Sequence, residues 1–315
     1  MSNPACSIVV SVYNEEAVLK LFYKHLAEVL DKETDVFEII FVNDGSQDGS
    51  LSILTEIAHG DSRVKVINFS KNFGHEAAML AGIDHSNGDA VICMDSDLQH
   101  PPVLIPEMLA KCREGYDVIN MVRMERKDAG FFKRVTSKLF YKFINMISPV
   151  KLVPNASDFF LISRPVAKVL KEDFRERTRF LRGLIQIVGF NNTTLDYVAP
   201  ERAAGESHYS LFKLMRLSTS AVASFSKTPL KIGIYSGFVF VVISILMIVY
   251  SLVMWIIDKP VSGYTTLIIF LCAFAGIQLL VIGAIGYYIG FIFDEVKQRP
   301  IFIIKNIISN ESTAE

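Results

Sequence analysis

The sequence predicts an α/β domain with a mainly parallel sheet, followed by two long apolar helices. Short runs of β-branched and aromatic residues alternate with segments of helical periodicity along the first 125 residues. The strand-like runs are almost continuously apolar, as strands are when helices cover both faces of a parallel sheet. Two stretches near the C-terminus, residues 233–257 and 260–293, carry no charge. Each exceeds the about 20 residues that span a bilayer as a helix.

Each element of the sheet domain follows from its local pattern. The first strand is predicted at residues 7–13, and a helix follows at 16–30 because its apolar side chains fall on one side. Four more strands are predicted at 38–43, 64–69, 90–95 and 117–122, with helices at 50–58, 76–85 and 103–113. Later segments predict a basic amphipathic helix at 130–147, a strand at 158–162, and helices at 164–174 and 179–187. A further helix at 210–225 suits a membrane surface, although an ordinary packed helix explains the same pattern.

The residues that flank the apolar stretches predict how the chain is placed in a membrane. The N-terminus lacks the basic segment and the long apolar stretch of a signal peptide, so the first 232 residues are expected to remain on the side of synthesis. Basic residues precede the first span and follow the second, whereas the connection holds only Asp258 and Lys259. The positive-inside rule then predicts a multi-pass protein of the cell inner (plasma) membrane with both termini in the cytoplasm.

The predicted organisation therefore has four parts. They are a cytosolic sheet domain at 1–208, juxtamembrane amphipathic helices at 209–232, two spans with a short external loop at 233–293, and a cytosolic tail at 294–315. Glycines in the second span favour close helix packing, within one chain or in a homo-oligomer. The net charge of -1 excludes the strong basic excess of a nucleic-acid-binding domain.

Polar residues follow three of the predicted strands at the edge where a parallel sheet binds its ligands. Tyr13, Asn14 and Glu15 end the first strand, and Asp44 ends the second within Asn-Asp-Gly-Ser. The fourth strand ends in Asp95-Ser-Asp-Leu-Gln99. One polar strand end is an ordinary loop, but three at one sheet edge indicate a built site.

Asp95 and Asp97 predict a divalent cation. Residues i and i+2 of an extended segment point the same way, and two carboxylates so close repel unless a cation lies near them. Carboxylate oxygens and the side-chain amide of Gln99 suit Mg²⁺ or Mn²⁺. Such an ion would balance the charge that builds on a departing diphosphate.

Two further segments carry groups that could bind phosphate. Seven basic residues and two acidic ones lie between Arg123 and Lys142, a pattern typical of a surface that faces anionic lipid or phosphate. A solvated helix face explains the same pattern. Arg202 and Ser207 lie in Arg-Ala-Ala-Gly-Glu-Ser and offer a guanidinium fork and a hydroxyl to phosphate, although a plain surface loop would also contain them.

Together these motifs resemble family 2 glycosyltransferases of the GT-A fold, which is Rossmann-like, and within them the polyprenyl-phosphate glycosyltransferases. The resemblance is to dolichol-phosphate mannose synthases and bactoprenol glucosyltransferases, and it covers nearly the whole chain. The segments that carry it are VSVYNE at 10–15, VNDGSQDG at 42–49, NFGHEAA at 72–78, DSDLQHPP at 95–102, RFLRG at 179–183 and GESHYS at 205–210. One departure is His208, where mannose synthases often have a basic residue.

The resemblance implies a role for each site residue. Asp44, with Tyr13, Asn14 and Glu15, would bind the nucleoside. Asp95, Asp97 and Gln99 would hold Mg²⁺ or Mn²⁺, with Asp95 also contacting the nucleotide sugar. The lipid phosphate and the diphosphate would be bound by Arg123, Arg126, Arg134, Ser137, Arg202 and Ser207. Asp158 would lie on the acceptor side, and the catalytic residues would be Asp95, Asp97, Asp158 and Arg202.

The reaction implied is inverting transfer of a hexose, glucose from UDP-glucose, to a polyprenyl (undecaprenyl) phosphate. The product would donate sugar for glycan or cell-envelope modification. Mannose from GDP-mannose or a modified aminoarabinose are alternatives for the same acceptor. A processive polysaccharide synthase would carry a Gln-x-x-Arg-Trp motif, and Trp255 is the only tryptophan. A scaffold without catalysis or a lipid-flipping channel is the non-enzymatic alternative.

Overall fold

The computed structural model describes residues 5–33, 36–124, 153, 156–177, 180–200, 228–257 and 263–310. These residues form two compact units. The first holds the described residues up to Pro200 together with those from Pro300 onward, and the second holds those from Thr228 to Arg299. The predicted helices at 130–147 and 210–225 lie outside the described residues.

The first unit is built on an eight-stranded sheet. Its strands are β1 (Cys6–Val12), β2 (Phe37–Asn43), β3 (Val64–Phe69), β4 (Ala90–Asp95), β5 (Val118–Arg123), β6 (Ala156–Ser163), β7 (Asn192–Tyr197) and β8 (Ile304–Ser309). Their order is β7-β5-β6-β4-β1-β2-β3-β8. Strand β1 pairs in parallel with β2 and β4, β2 with β3, and β5 with β7, whereas β6 and β8 run antiparallel to their neighbours. The predicted mainly parallel α/β sheet is confirmed.

Helices connect the strands and cover the sheet. They are α1 (Leu19–Leu30), α2 (Ser50–Gly60), α3 (His75–Asp84), α4 (Ile105–Arg113), α5 (Arg164–Glu172) and α6 (Leu181–Ile187). All seven residues of β1 are buried, because strands lie on both sides of it and helices pack over the sheet. The core joins β1, β2 and β4 to the apolar sides of α1, α2 and α4, which is the layering that the alternating pattern predicted.

Helix α3 lies unusually close to the central strand. A Cβ atom on Gly82 would lie 2.1 Å from a methyl carbon of Val9, so only glycine permits this approach. Helix α3 begins at His75, directly after Gly74, whose φ of +97° turns the chain into the helix. Close packing thus brings the first turn of α3 to the carboxyl ends of β1 and β4.

Strand β8 comes after the second apolar stretch in the chain and pairs with β3 across the edge of the sheet. The sequence analysis expected only a tail at 294–315 and did not predict this strand. It did not predict β7 either. The first unit therefore contains a C-terminal segment that follows the second unit in the chain.

The second unit contains α7 (Thr228–Ile256) and α8 (Tyr264–Val296). Residues Gly233–Met254 and Ala273–Val296 are long and apolar enough to cross a membrane. Large apolar side chains along both helices are exposed, among them Phe238, Leu246 and Leu280.

Candidate active site at the carboxyl ends of β1 and β4

Asp95, the last residue of β4, lies beside Ser11 of β1. The Ser11 hydroxyl donates a hydrogen bond of 3.1 Å to Asp95 Oδ1. The backbone N–H of Asp95 donates to Nδ1 of His100 at 2.9 Å, and that nitrogen lies 3.7 Å from Asp95 Oδ2. Burial disfavours the ionised carboxyl, but His75, His100 and the Ser11 hydroxyl outweigh it and lower the pKa of Asp95. Asp95 is therefore held as a carboxylate.

His75 lies between two carboxylates. Its Nδ1 is 2.9 Å from the Ser11 hydroxyl and 3.4 Å from Asp95 Oδ1. Its Nε2 is 3.7 Å from Asp158 Oδ2, and this buried atom has no hydrogen-bond partner among the described residues. Burial opposes protonation, but Asp95 and Asp158 outweigh it and raise the pKa of His75. The arrangement favours an imidazolium that bridges the two carboxylates.

Asp158 of β6 is bound by Arg182 of α6 through both of its oxygens. Arg182 Nε lies 2.7 Å from Oδ1, and Nη2 donates to Oδ2 at 3.0 Å. The same guanidinium donates to the carbonyl of Ala156 at 2.8 Å. Arg182 thus holds the Asp158 carboxylate through one hydrogen bond and one close ionic contact, and it also holds the start of β6.

Glu76 of α3 holds the start of helix α6. Its Oε2 accepts a hydrogen bond of 2.8 Å from the backbone N–H of Leu181, the first residue of α6. Burial, and secondarily the charge of Asp158, raise the pKa of Glu76. The residue after Leu181 is Arg182, so the contact holds the arginine that binds Asp158.

The loop after β4 carries the other predicted metal ligands. Asp97 Oδ1 accepts a hydrogen bond of 3.0 Å from the backbone N–H of Gln99, and Arg123 donates to Gln99 Oε1 at 3.2 Å. Leu98 has a φ of +63°, a conformation that costs a non-glycine residue about 1–3 kcal/mol. This unfavourable backbone turns the loop so that Asp97 and Gln99 lie near the end of β4.

The donor atoms in this loop fit a hard divalent cation. Asp95 and Asp97 provide carboxylate oxygens and Gln99 an amide oxygen, the ligands that Mg²⁺ and Mn²⁺ prefer. A second group of possible ligands consists of His75, Asp95 and Asp158, whose ligand atoms lie within 4.8 Å of one another. Asp95 belongs to both sets, and a metal in the second set would require a neutral His75, because a protonated imidazole has no lone pair for a metal.

The second polar strand end folds against the first. Asn14 N–H donates to Ser46 Oγ at 3.0 Å, and Gln47 N–H donates to Asn14 Oδ1 at 2.8 Å. Glu15 N–H donates to Ser50 Oγ at 3.0 Å. The Tyr13 side chain is exposed at the same edge. These contacts join two loops into one surface beside the Asp95 cluster.

Asp44 is buried and holds the loop that leads into α3. Its two oxygens accept hydrogen bonds from the backbone N–H groups of Phe73 and Gly74, at 2.6 and 3.0 Å. Burial nevertheless raises the pKa of Asp44 against these two bonds. In the described structure, the carboxylate therefore fixes the approach to His75. Its binding of a nucleoside stays a prediction.

The predicted site residues divide into three groups. Asp95, Asp97, Gln99, Asp158 and Arg123 come together, and Tyr13, Asn14, Glu15 and Asp44 lie along the adjoining edge. Arg126, Arg134, Ser137, Arg202 and Ser207 lie outside the described residues. The sequence analysis gave no role to Ser11, His75 or Arg182, although three of the segments that carried the resemblance, at 10–15, 72–78 and 179–183, contain them.

Comparison with known proteins places these features in a family. The family model described as glycosyl transferase family 2 matches residues 7–170. The uncharacterized glycosyltransferase YkcC of Bacillus subtilis (strain 168) is 42% identical over 300 residues, which are 95% of this chain and 93% of that protein. The bactoprenol glucosyl transferase of Shigella phage SfV is 40% identical over 304 residues, covering 95% of this chain and 98% of that protein.

Among solved structures, the glucosyl-3-phosphoglycerate synthase of Mycobacterium tuberculosis, crystallised with Mn²⁺, UDP-glucose and phosphoglyceric acid, is similar with a TM-score of 0.46 and 19% identity. The similarity covers 70% of this chain and 78% of that one.

Proposed function

The chain belongs to glycosyl transferase family 2, and from that membership we propose that it transfers a hexose from a nucleotide sugar to a polyprenyl phosphate. The proposed donor is UDP-glucose and the proposed acceptor is undecaprenyl phosphate. The relative from Shigella phage SfV, named a bactoprenol glucosyl transferase, aligns over nearly all of both chains and supports this choice. The observation that carries the proposal is the Asp95–His75–Asp158–Arg182 cluster, placed at the edge where parallel sheets bind ligands.

The donor would lie along the edge formed by Tyr13, Asn14 and Glu15, with its diphosphate toward Asp95 and Asp97. A divalent ion held by Asp95, Asp97 and Gln99 would supply charge neutralisation for the departing diphosphate. The described residues favour this arrangement because Asp95 is kept ionised by its neighbours.

The reaction proposed is a single displacement with inversion at the anomeric carbon. An acceptor phosphate oxygen forms the new bond while the bond to the nucleoside diphosphate breaks, so an α-linked donor gives a β-linked product. A phosphate monoester is already anionic near neutral pH and needs no strong general base. This agrees with Asp158, both of whose oxygens are bound by Arg182. Its proposed part is to orient Arg182 and His75 beside the reacting groups.

The residues proposed for the acceptor phosphate are Arg123, Arg126, Arg134, Ser137, Arg202 and Ser207. Their positive charges would offset the repulsion between two anionic substrates and orient them for attack. Among them, Arg123 lies in the described structure, where its guanidinium reaches Gln99. This contact supports a site in which the acceptor phosphate lies next to the predicted metal ligands.

We also propose that α7 and α8 cross the inner membrane and that the sheet unit faces the cytoplasm. Many large apolar side chains are exposed along both helices, and their contact with water would be unfavourable. An anchored enzyme would meet a lipid phosphate at the membrane surface. The proposal includes a homo-oligomer in which the glycines of α8 allow close packing between chains.

The experiment that tests the function uses the full chain, purified in detergent and supplied with undecaprenyl phosphate, Mg²⁺ or Mn²⁺, and one nucleotide sugar at a time. Mass spectrometry of the lipid fraction is expected to show a hexosyl undecaprenyl phosphate with UDP-glucose. A product with GDP-mannose or with a UDP-linked aminoarabinose instead would reassign the sugar. Absence of any glycosylated lipid with every donor would reject the proposed acceptor.

A further inference from the structure

We propose that the C-terminal strand β8 positions the donor side of the active site, with Asn306 and Phe302 as positioning residues. This inference rests on the proposed function, because it concerns how that site binds a nucleotide. The contacts that carry it lie in the first unit, at the edge of the sheet where β2 and β3 end and the antiparallel β8 begins.

Three asparagines stand in register across three neighbouring strands. Asn43 pairs with Asn68 between β2 and β3, and Asn68 pairs with Asn306 between β3 and β8. Asn43 Nδ2 donates to Asn68 Oδ1 at 2.9 Å, and Asn68 Nδ2 donates to Asn306 Oδ1 at 2.8 Å. Asn43 and Asn68 are buried, so a lost partner would leave a buried amide without a hydrogen bond.

The inner end of this ladder lies at the predicted nucleoside edge. Asn43 directly precedes Asp44, and its Oδ1 accepts a hydrogen bond of 3.4 Å from the backbone N–H of Ser46. Ser46 in turn receives the N–H of Asn14. A side chain of β8 is therefore connected, through two buried amides, to the loops proposed to hold the nucleoside.

A second set of contacts joins the same segment to the loop before His75. Phe302 stacks on Phe69 with ring centres 5.2 Å apart and an angle of 9° between the planes. The backbone N–H of Ser70 donates to the carbonyl of Ile303 at 3.0 Å. Phe69 also packs edge-on against Phe73, whose N–H is bound by Asp44.

Both sets of contacts converge on one loop. Residues 69–74 are held by the C-terminal segment at their start and by Asp44 at their end, and His75 follows directly. Covering the sheet edge would require only a paired strand. The amide ladder and the stacked ring go further, because they fix side chains that lead to the donor edge.

The test compares four forms of the full chain in detergent: wild type, Asn306→Leu, Asn306→Asp and Lys305→Ala. Leucine keeps the size of asparagine but offers no acceptor to Asn68, whereas aspartate restores the acceptor oxygen. Lys305 is the adjacent exposed residue of β8 and has no partner in the register between β3 and β8, so it lies outside the ladder of asparagines. Nucleoside diphosphate binding is measured by calorimetry with UDP and with GDP, alongside the KM for donor and acceptor and the thermal unfolding midpoint.

We expect Asn306→Leu to weaken binding of the nucleoside diphosphate and to raise the donor KM by about threefold to tenfold, the range that one lost hydrogen bond gives. The acceptor KM is expected to stay unchanged, and Asn306→Asp and Lys305→Ala should match wild type. A lower unfolding midpoint with unaltered nucleotide binding would make β8 a purely structural strand and overturn the inference. Failure of wild type to bind either nucleotide would overturn both this inference and the proposed donor. Wild-type binding without lipid glycosylation would reject only the proposed acceptor.

Discussion

His75 Nδ1 lies 3.4 Å from Oδ1 of Asp95, while the opposite nitrogen of the same ring faces Asp158. One imidazolium thus separates two carboxylates that would otherwise repel each other in a partly buried site. The positive charge, rather than the imidazole ring itself, is what this geometry requires.

Replacing His75 with leucine should therefore impair transfer, whereas His75→Lys should keep most activity because it retains the charge. We expect kcat/KM to fall about tenfold in His75→Leu, which corresponds to about 1.4 kcal/mol of lost charge interaction. His59→Leu, at an exposed histidine of α2, is the control. Equal turnover in the leucine and wild-type enzymes would contradict the need for a cation between the two carboxylates.

Asp97→Asn should nearly abolish transfer while leaving the fold intact. The substitution keeps size and a hydrogen-bond acceptor for Gln99 but removes the charge that a divalent ion requires, so we expect a loss of about a hundredfold or more. Turnover is measured across a titration of Mg²⁺ and of Mn²⁺, with Asp173→Asn as the exposed control. A mutant with wild-type turnover at every metal concentration would remove Asp97 from the metal site.

Arg182→Ala should lower both activity and stability, because Asp158 would lose its ion-pair partner. The side chains of Arg182 and Asp158 are 28% and 21% exposed, so solvent screening reduces the expected cost to about 1–3 kcal/mol of unfolding free energy. The matched control is Arg63→Ala, which breaks the ion pairs with Asp61 and Asp31. That variant should lose stability with unchanged turnover, and equal losses of turnover in both variants would show that Arg182 acts only through the fold.

The Glu76→Gln variant should become more stable than the wild type as the pH rises. The pKa of Glu76 is raised in the folded state, first by burial and then by Asp158. The contribution of Glu76 to wild-type stability is then fully present below the ordinary glutamate pKa and is lost as the pH rises through the folded-state value. Glutamine still accepts the Leu181 N–H but carries no charge. Unfolding midpoints from pH 4 to pH 8 should coincide at the acid end and diverge above it, whereas Glu56→Gln at an exposed pair should show no such divergence.

Gly45→Ala should disturb the donor edge. Gly45 has a φ of +66°, and an added Cβ would lie 2.4 Å from the carbonyl carbon of Lys71. We expect about 1–3 kcal/mol of destabilisation together with weaker UDP binding. Gly60→Ala, where a Cβ would meet no atom within 4 Å, serves as the comparison. A Gly45→Ala protein as stable as wild type would show that the two loops can separate at no cost.

The strands that the sequence predicted are those with continuous apolar runs. Burial on both faces requires such runs in β1 to β4. Asp44 and Asp95 could be placed at strand ends because each marks the point where an apolar run stops. Strand β7 escaped prediction because Asn192–Tyr197 is polar and half exposed at the sheet edge. Strand β8 was not predicted because its partner β3 lies far away in the chain, and a local sequence pattern does not reveal such a pairing.

Long-range packing also explains which site residues could not be predicted. Asp95 and Asp97 could be predicted because two carboxylates at the end of one apolar strand are visible in the sequence itself. His75 reaches Asp95 only because Gly82 lets α3 approach β1. Glu76 and Leu181 are 105 positions apart in sequence, so the contact that fixes Arg182 depends on a fold that composition and periodicity do not specify.

The strand that completes the sheet is also the last described element to leave the ribosome. Asn68 and Asn306 are separated by 238 positions, and both apolar helices are translated between them. Until residues 304–309 emerge, β3 remains an open edge of the nascent domain, the kind of edge that recruits foreign strands. A shortened chain that ends before the apolar helices, as is often made to obtain a water-soluble enzyme, would keep this edge open permanently. Because β7 and β3 lie at opposite sides of the sheet, β8 would have to be supplied as a separate peptide or through a linker long enough to cross the sheet, about 34 Å, and this should restore solubility to such a shortened chain.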